Sequence, residues 1–186
     1  NMAGVYIFII ILLFIILYVI ALYNRLLKER NIVKQSLSGI DVYLNQRFDL
    51  IPNLVECVKA YSKYEKDVLE NIVNLRNAYN QENDIEFKQA NKINKEINKI
   101  LAIAEEYPEL QASEQYLNLQ KNLEKIESQL QAVRRIYNGD VTVYNTSIET
   151  IPINIVAKMF GFKKFDLFQI EDYKKENINI GKIIND

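Results

Sequence analysis

Asp41, Asn45, Asp49, Asn53 and Glu56 recur at intervals of four, four, four and three residues. On one continuous helix they line a polar face, and carboxylates are the hard oxygen donors that a divalent cation prefers. The three carboxylates, however, lie eight and seven residues apart. That is about 10–12 Å along a helix, too far for them to share one ion. A solvated face, or ion pairs to other helices through Arg134 and Arg135, is the expected reading, since structural ion-pair networks commonly mimic sites.

Other chemistry is excluded by composition. The chain has no His and one Cys, so a His-activated nucleophile, a His metal site and an intrachain disulfide are ruled out. Glu124 and Glu127 have the carboxylate spacing of a di-iron bundle, but that centre needs Glu-x-x-His pairs. Cys57 has no His to activate it and reads as a small buried hydrophobe. With only five Gly, neither a Walker loop nor a dinucleotide fingerprint occurs. The 23 Lys+Arg balance 24 Asp+Glu, which gives no electrostatic case for nucleic acid. No catalytic, metal or cofactor-binding residue is expected, and the chain reads as non-enzymatic. The residues singled out for structure or interaction are Asp41, Arg47, Asp49, Asn53, Glu56, Arg134, Arg135, Tyr137 and Asn138. In an antiparallel bundle Arg47, Asp49 and Asn53 are expected opposite Arg134 to Asn138, where a buried charge pair would set helix register.

The elements that must position these residues begin with an apolar block. None of the 47 charged residues lies in Asn1 to Asn24, and Val5 to Leu22 is apolar without interruption. With Ala3 and Gly4 the run reaches 20 residues, which at ~1.5 Å each spans the ~30 Å hydrocarbon core of a bilayer. It lacks a basic leader and an Ala-x-Ala site and is longer than a signal-peptide core, so an uncleaved anchor is expected. Arg25, Lys28, Arg30 and Lys34 follow it against the single acid Glu29. The positive-inside rule then places the N-terminus outside and the body in the cytoplasm.

The body reads as long helices. Val33, Leu37, Ile40, Leu44, Phe48, Ile51, Val55 and Val58 hold one stripe at spacings of three and four, with a break expected just before Pro52. Asn80 to Asp84 reads as a polar turn. A helix through Phe87 to Ala104 is stopped by Tyr107-Pro108. The next apolar set is Tyr116, Leu119, Leu123, Ile126, Leu130, Val133, Tyr137, Val141, Tyr144 and Ile148. It keeps heptad-like spacing and requires partner helices. Pro152 ends it. The apolar stretch Ile151 to Ile170 is expected to form a short helix and a strap over the bundle, in preference to an element lying on the membrane. Residues 171–186 read as a polar tail.

Residues 41–56, DVYLNQRFDLIPNLVE, resemble the signature DVxLxxRxDLIPNLVE of the LemA family of bacterial membrane proteins. VKAYSKYEK at Val58 to Lys66 is similar to that family's VKGYAxHEK. LAIAEEYPEL at Leu101 to Leu110, Arg134-Arg135-Ile136-Tyr137-Asn138, Tyr144-Asn145-Thr146 and Gly161-Phe162 resemble its later blocks. Leu37, Tyr64 and Ile151 stand where the family usually has Trp, His and Phe. The resemblance implies an N-terminal membrane helix followed by an all-helical antiparallel bundle, with no activity or cofactor to carry over.

The expected fold is therefore all-α, with an anchor at 1–24, an antiparallel long-helix bundle at 25–150 and a short helix, strap and tail at 151–186. The expected role is a single-pass scaffold or interaction module of the bacterial cell membrane. Its expected partners are the lipid bilayer, copies of itself and other envelope proteins. A membrane-shaping oligomer and a carboxylate-dependent membrane enzyme are the alternatives.

Overall fold

A computed structural model describes residues 2–61, 66–79 and 87–169. The expected turn at Asn80 to Asp84, the tail at 171–186 and Tyr64 lie outside the described residues. Those described form seven helices and no strand: α1 (Met2–Asp49), α2 (Ile51–Tyr61), α3 (Lys66–Tyr79), α4 (Phe87–Glu105), α5 (Pro108–Gln111), α6 (Glu114–Glu149) and α7 (Ile153–Met159).

The three prolines place three of the boundaries. Pro52 has no N–H to give and its ring crowds the carbonyl four residues back, so α1 cannot run through it. The chain tightens at Leu50, whose N–H donates to the Arg47 carbonyl at 3.2 Å, and α2 begins with Pro52 in its first turn, where no N–H is required. Pro108 opens α5 in the same way, and Pro152 is the N-cap residue of α7. Between prolines nothing interrupts α1 for 48 residues. Its apolar block and its polar, packed portion are one helix, and residues 2–18 stand exposed. This stretch is long and apolar enough to cross a membrane. α6 starts on Ser113, whose Oγ accepts the Tyr116 N–H at 3.3 Å as an N-cap should.

The chain divides into two compact units, one of Asn1–Tyr43 with Glu127–Phe168 and the other built on Leu44–Ile126. In the first, α1 and α6 run antiparallel. Gly39 faces Val133, Ser36 meets Asp140, and Leu26 packs near Ile148. Leu26, Val33 and Ile40 of α1 are buried, as are Leu130, Tyr137 and Tyr144 of α6. Both sets keep a strict seven-residue interval, the mark of a coiled-coil seam. α7 closes the seam by burying Ile153, Val156 and Ala157 on Leu26.

In the second unit α2 packs on α3, α4 and α5, and α4 also packs on α3 and α5. The apolar stripe expected from spacing is buried at Leu44, Phe48, Ile51, Val55 and Val58, joined by Ile72 of α3 and Ile93, Ile97 and Ile100 of α4. Cys57 is buried among them. Burial pushes its thiol above the ordinary range, with the Glu56 charge adding to the effect, so it packs as a neutral group.

Candidate membrane-proximal site

The polar side chains that gather most closely lie along α6 and hold an extended segment. Asn138 Nδ2 donates to the Phe168 carbonyl at 3.0 Å while the Phe168 N–H donates to Asn138 Oδ1 at 2.8 Å. Asn145 makes the same pair with Phe165, at 2.9 and 3.1 Å. Tyr137 adds a bond from its hydroxyl to the Asp166 carbonyl at 2.8 Å. Seven helical residues advance about 10.5 Å, and three extended residues advance about 10 Å. Two amides one heptad apart therefore match two backbone positions three residues apart. Each carboxamide supplies the donor and the acceptor that a neighbouring strand would otherwise supply. The Phe168 ring is fully buried, and the Phe165 ring meets Tyr144 edge-on at 5.4 Å between centroids. Burial of the Tyr137 phenol, with a smaller effect of the Asp166 charge, lifts it to about 12.

The turn that delivers this segment depends on Gly161. The Phe162 N–H donates to the Ala157 carbonyl at 2.9 Å and the Gly161 N–H to the Lys158 carbonyl at 3.4 Å. This is the pattern of a Schellman cap. Gly161 has φ +71°, the left-handed conformation that glycine adopts without penalty. The chain then brings Phe162 against Tyr23 at 5.7 Å, with Phe160 on the same ring at 4.8 Å. The Arg30 guanidinium lies 5.2 Å from the Phe162 ring centre, within cation–π range. An aromatic and cationic cluster thus sits where the apolar run of α1 ends.

The seam between α1 and α6 is polar on one side. Ser36 Oγ bonds to Asp140, and the same register sets Glu29 level with Ser147, one heptad away on each helix. Glu29 accepts from Arg25 Nε at 2.9 Å. Tyr144 is raised by burial, against an opposing pull from Arg30 and a smaller push from Glu29. A groove of about 360 Å³ runs beside this layer, lined by Arg25, Thr142, Val143, Thr146, Ser147, Thr150 and Ile153. The Thr142 and Thr150 hydroxyls donate to the carbonyls of Asn138 and Thr146, so they turn acceptor lone pairs to the groove. The groove offers polar contacts and one cation, without a nucleophile beside a base.

The residues expected from sequence fall in separate places. The polar stripe requires one continuous helix, whereas α1 ends at Asp49 and α2 begins at Ile51. Asp41 belongs to the first unit, and Arg47, Asp49, Asn53 and Glu56 to the second. Asp49 is exposed and pairs with Arg76 of α3 at 2.6 Å, where the sequence had pointed to Arg134 or Arg135. Asn53 and Glu56 are exposed. Arg47 is 8% exposed, an arginine taken almost wholly out of water. Arg134 is half-buried and Arg135 exposed, while Tyr137 and Asn138 join the clamp on residues 165–168. Asn145 lies in the block Tyr144-Asn145-Thr146, and its seven-residue offset from Asn138 is the sequence signal for its role. Ser36, Asp140 and Arg76 carried no such signal. Among the described residues no group of three or more His, Cys, Asp or Glu is arranged to hold a metal ion.

The model of a family described as the LemA family matches residues 36–181. Protein LemA of Metamycoplasma hominis is 23% identical over 166 residues, covering 87% of this chain and 75% of that protein. Magnetosome protein MamQ 2 of Paramagnetospirillum magneticum is 30% identical over 73 residues, 39% of this chain and 27% of that protein. Magnetosome protein MamQ of Magnetospirillum gryphiswaldense is 28% identical over 72 residues, 39% and 26% of the two chains.

Proposed function

Because this chain belongs to the LemA family, we propose that it acts as a membrane-anchored, non-enzymatic scaffold that self-associates through its helical body. The carrying observation is that α1 passes without a break from an exposed apolar stretch into a packed helix pair. Such a junction transmits orientation, where a flexible linker would only tether. The four cations at Arg25, Lys28, Arg30 and Lys34 favour a cytoplasmic body and an external N-terminus. The absence of His supports the non-enzymatic reading.

Self-association is supported by what the seam leaves uncovered. Ile136 and Val143 are 60% and 59% exposed and lie one heptad apart on α6. They form the start of a second apolar edge, suited to a second copy of the chain. In a Cys57→Ala background, a single Val143→Cys substitution is expected to give disulfide-linked dimers when isolated native membranes are treated with copper phenanthroline, the oxidant that the reducing cytoplasm does not supply. The same protein is expected to elute from mild detergent as an oligomer. A monomer in both measurements refutes the scaffold reading. Impermeant maleimide applied to intact cells, with a single cysteine at Ala3 or at Gln120, tests the topology. Labelling is expected at Ala3 only.

A further inference from the structure

We propose that α7 is a second membrane contact: an interfacial foot whose outer face rests in the headgroup–acyl boundary of an anionic bilayer. α7 is apolar almost all round. Ile153, Val156 and Ala157 are buried on Leu26, with Val19, Leu22 and Tyr23 packed against the same cluster. The opposite side is equally apolar. Ile151 is 78% exposed, Ile155 and Met159 63% each, and Phe160 52%. The polar positions of the helix are Asn154 and Lys158, one turn apart on a single stripe. A helix that is apolar around most of its circumference belongs in a core or in lipid, and a seven-residue helix with one packed side is not in a core.

The location selects the occupant. α7 docks on the last turn of the 20-residue apolar run and on the turn that follows it. If that run spans the ~30 Å hydrocarbon layer, α7 sits at the layer's edge. α1 exposes apolar side chains as far as Ile20, at the level of the cluster on which α7 docks. The surrounding charge is suited to anionic lipid. Residues 25–30 and 149–166 hold six Lys or Arg against three Asp or Glu. Lys158 is exposed on the polar stripe, where it can lay its stem along the apolar surface and keep its ammonium at the headgroups. The foot fixes the rotation of α1 about its own axis, which a lone cylindrical span leaves free.

The chain has no Trp, so one introduced Trp reports its own surroundings. This inference rests on the reading of α1 as a membrane span, and the controls separate the two. Full-length Ile155→Trp, Leu12→Trp and Lys99→Trp proteins are reconstituted in vesicles of equal phosphatidylcholine and phosphatidylglycerol, with and without brominated acyl chains. All three positions are exposed or half-buried at most, so the fold tolerates the ring; far-ultraviolet circular dichroism checks this. Ile155→Trp is expected to emit to the blue and lose roughly two-fold in intensity with bromolipid, as befits a ring about 5–10 Å into the interface. Leu12→Trp is expected to be quenched and Lys99→Trp unaffected. Quenching at Leu12→Trp without quenching at Ile155→Trp overturns the foot and leaves the anchor standing. A blue but unquenched Ile155→Trp shows a protein cover and also overturns it. Absence of quenching at both positions overturns the anchor reading and the foot with it.

Discussion

Asn138→Ala removes both hydrogen bonds that Asn138 makes to Phe168 and leaves that backbone N–H facing a methyl group. Each lost bond is worth about 1 kcal/mol net, and an unsatisfied buried donor adds about 1–3 kcal/mol. Local opening of the segment at Phe168 is thus expected to become easier by roughly 2–3 kcal/mol once partial hydration is allowed for. At 1.4 kcal/mol per tenfold, amide exchange at Phe168 accelerates by roughly 30- to 150-fold. The assay is hydrogen exchange of the full chain in lipid nanodiscs, read at Phe168 and, as an internal reference, at Leu130. Asn138→Asp sharpens the test. Its carboxylate still accepts the Phe168 N–H but repels the Phe168 carbonyl, whereas its protonated form donates to that carbonyl as the amide did. Repulsion raises the introduced carboxyl's folded pKa above the ordinary value of about 3.9. The folded state then binds the proton more tightly, so protection is highest below that ordinary value and is lost as pH rises through the folded pKa. Unchanged exchange in Asn138→Ala, or an Asn138→Asp variant whose opening free energy is independent of pH, refutes the clamp.

Gly161→Ala meets no atom of a residue beyond its chain neighbours within 4 Å of the added carbon. It is expected to cost about 1–2 kcal/mol from the left-handed backbone alone, measured as a lower thermal midpoint. The Tyr137 phenol is expected to titrate near 12 by absorbance at alkaline pH, with that component absent in Tyr137→Phe. As an acid whose folded pKa is raised, it contributes stability fully below about 10, and that contribution is lost as pH rises through 12. Asp49→Asn is expected to change stability by less than about 1 kcal/mol, because the pair with Arg76 is solvated. Arg47→Ala is expected to cost roughly 3–5 kcal/mol, as removal of a buried, partnered charge does; an unchanged thermal midpoint refutes a structural role for the buried guanidinium.

Helix identity and boundaries were legible because they depend on local chemistry. Pro52, Pro108 and Pro152 act through their own rings, and the seven-residue recurrence of Leu26, Val33 and Ile40 is visible in one dimension. Partnerships were not legible. A spacing tells which face of a helix a side chain occupies, and nothing of what lies across from it. Asp49 illustrates this, since its partner Arg76 sits on α3 beyond a helix break. The polar stripe required one continuous helix, and the proline that breaks the helix just before it lies inside that stripe. Ser36 and Asp140 lie beside the apolar recurrence, and only the antiparallel register shows that each is the other's partner. Tyr137 and Asn138 were singled out from a motif, but their use as a ruler for an extended segment needed Phe165 and Phe168 in place.

Ser36 and Asp140 are separated by 104 residues, and this sets an order of events during synthesis. α1 emerges first, and its Leu26, Val33 and Ile40 edge waits uncovered while residues 44–126 are made. Those residues bury their own apolar stripe and can condense meanwhile, which draws the ends of the long intervening chain together and lowers the entropy cost of joining α1 to α6. In the antiparallel register the pair can start to zip where Gly39 faces Val133 and proceed through Ser36 and Asp140, with residues 165–168 synthesised last.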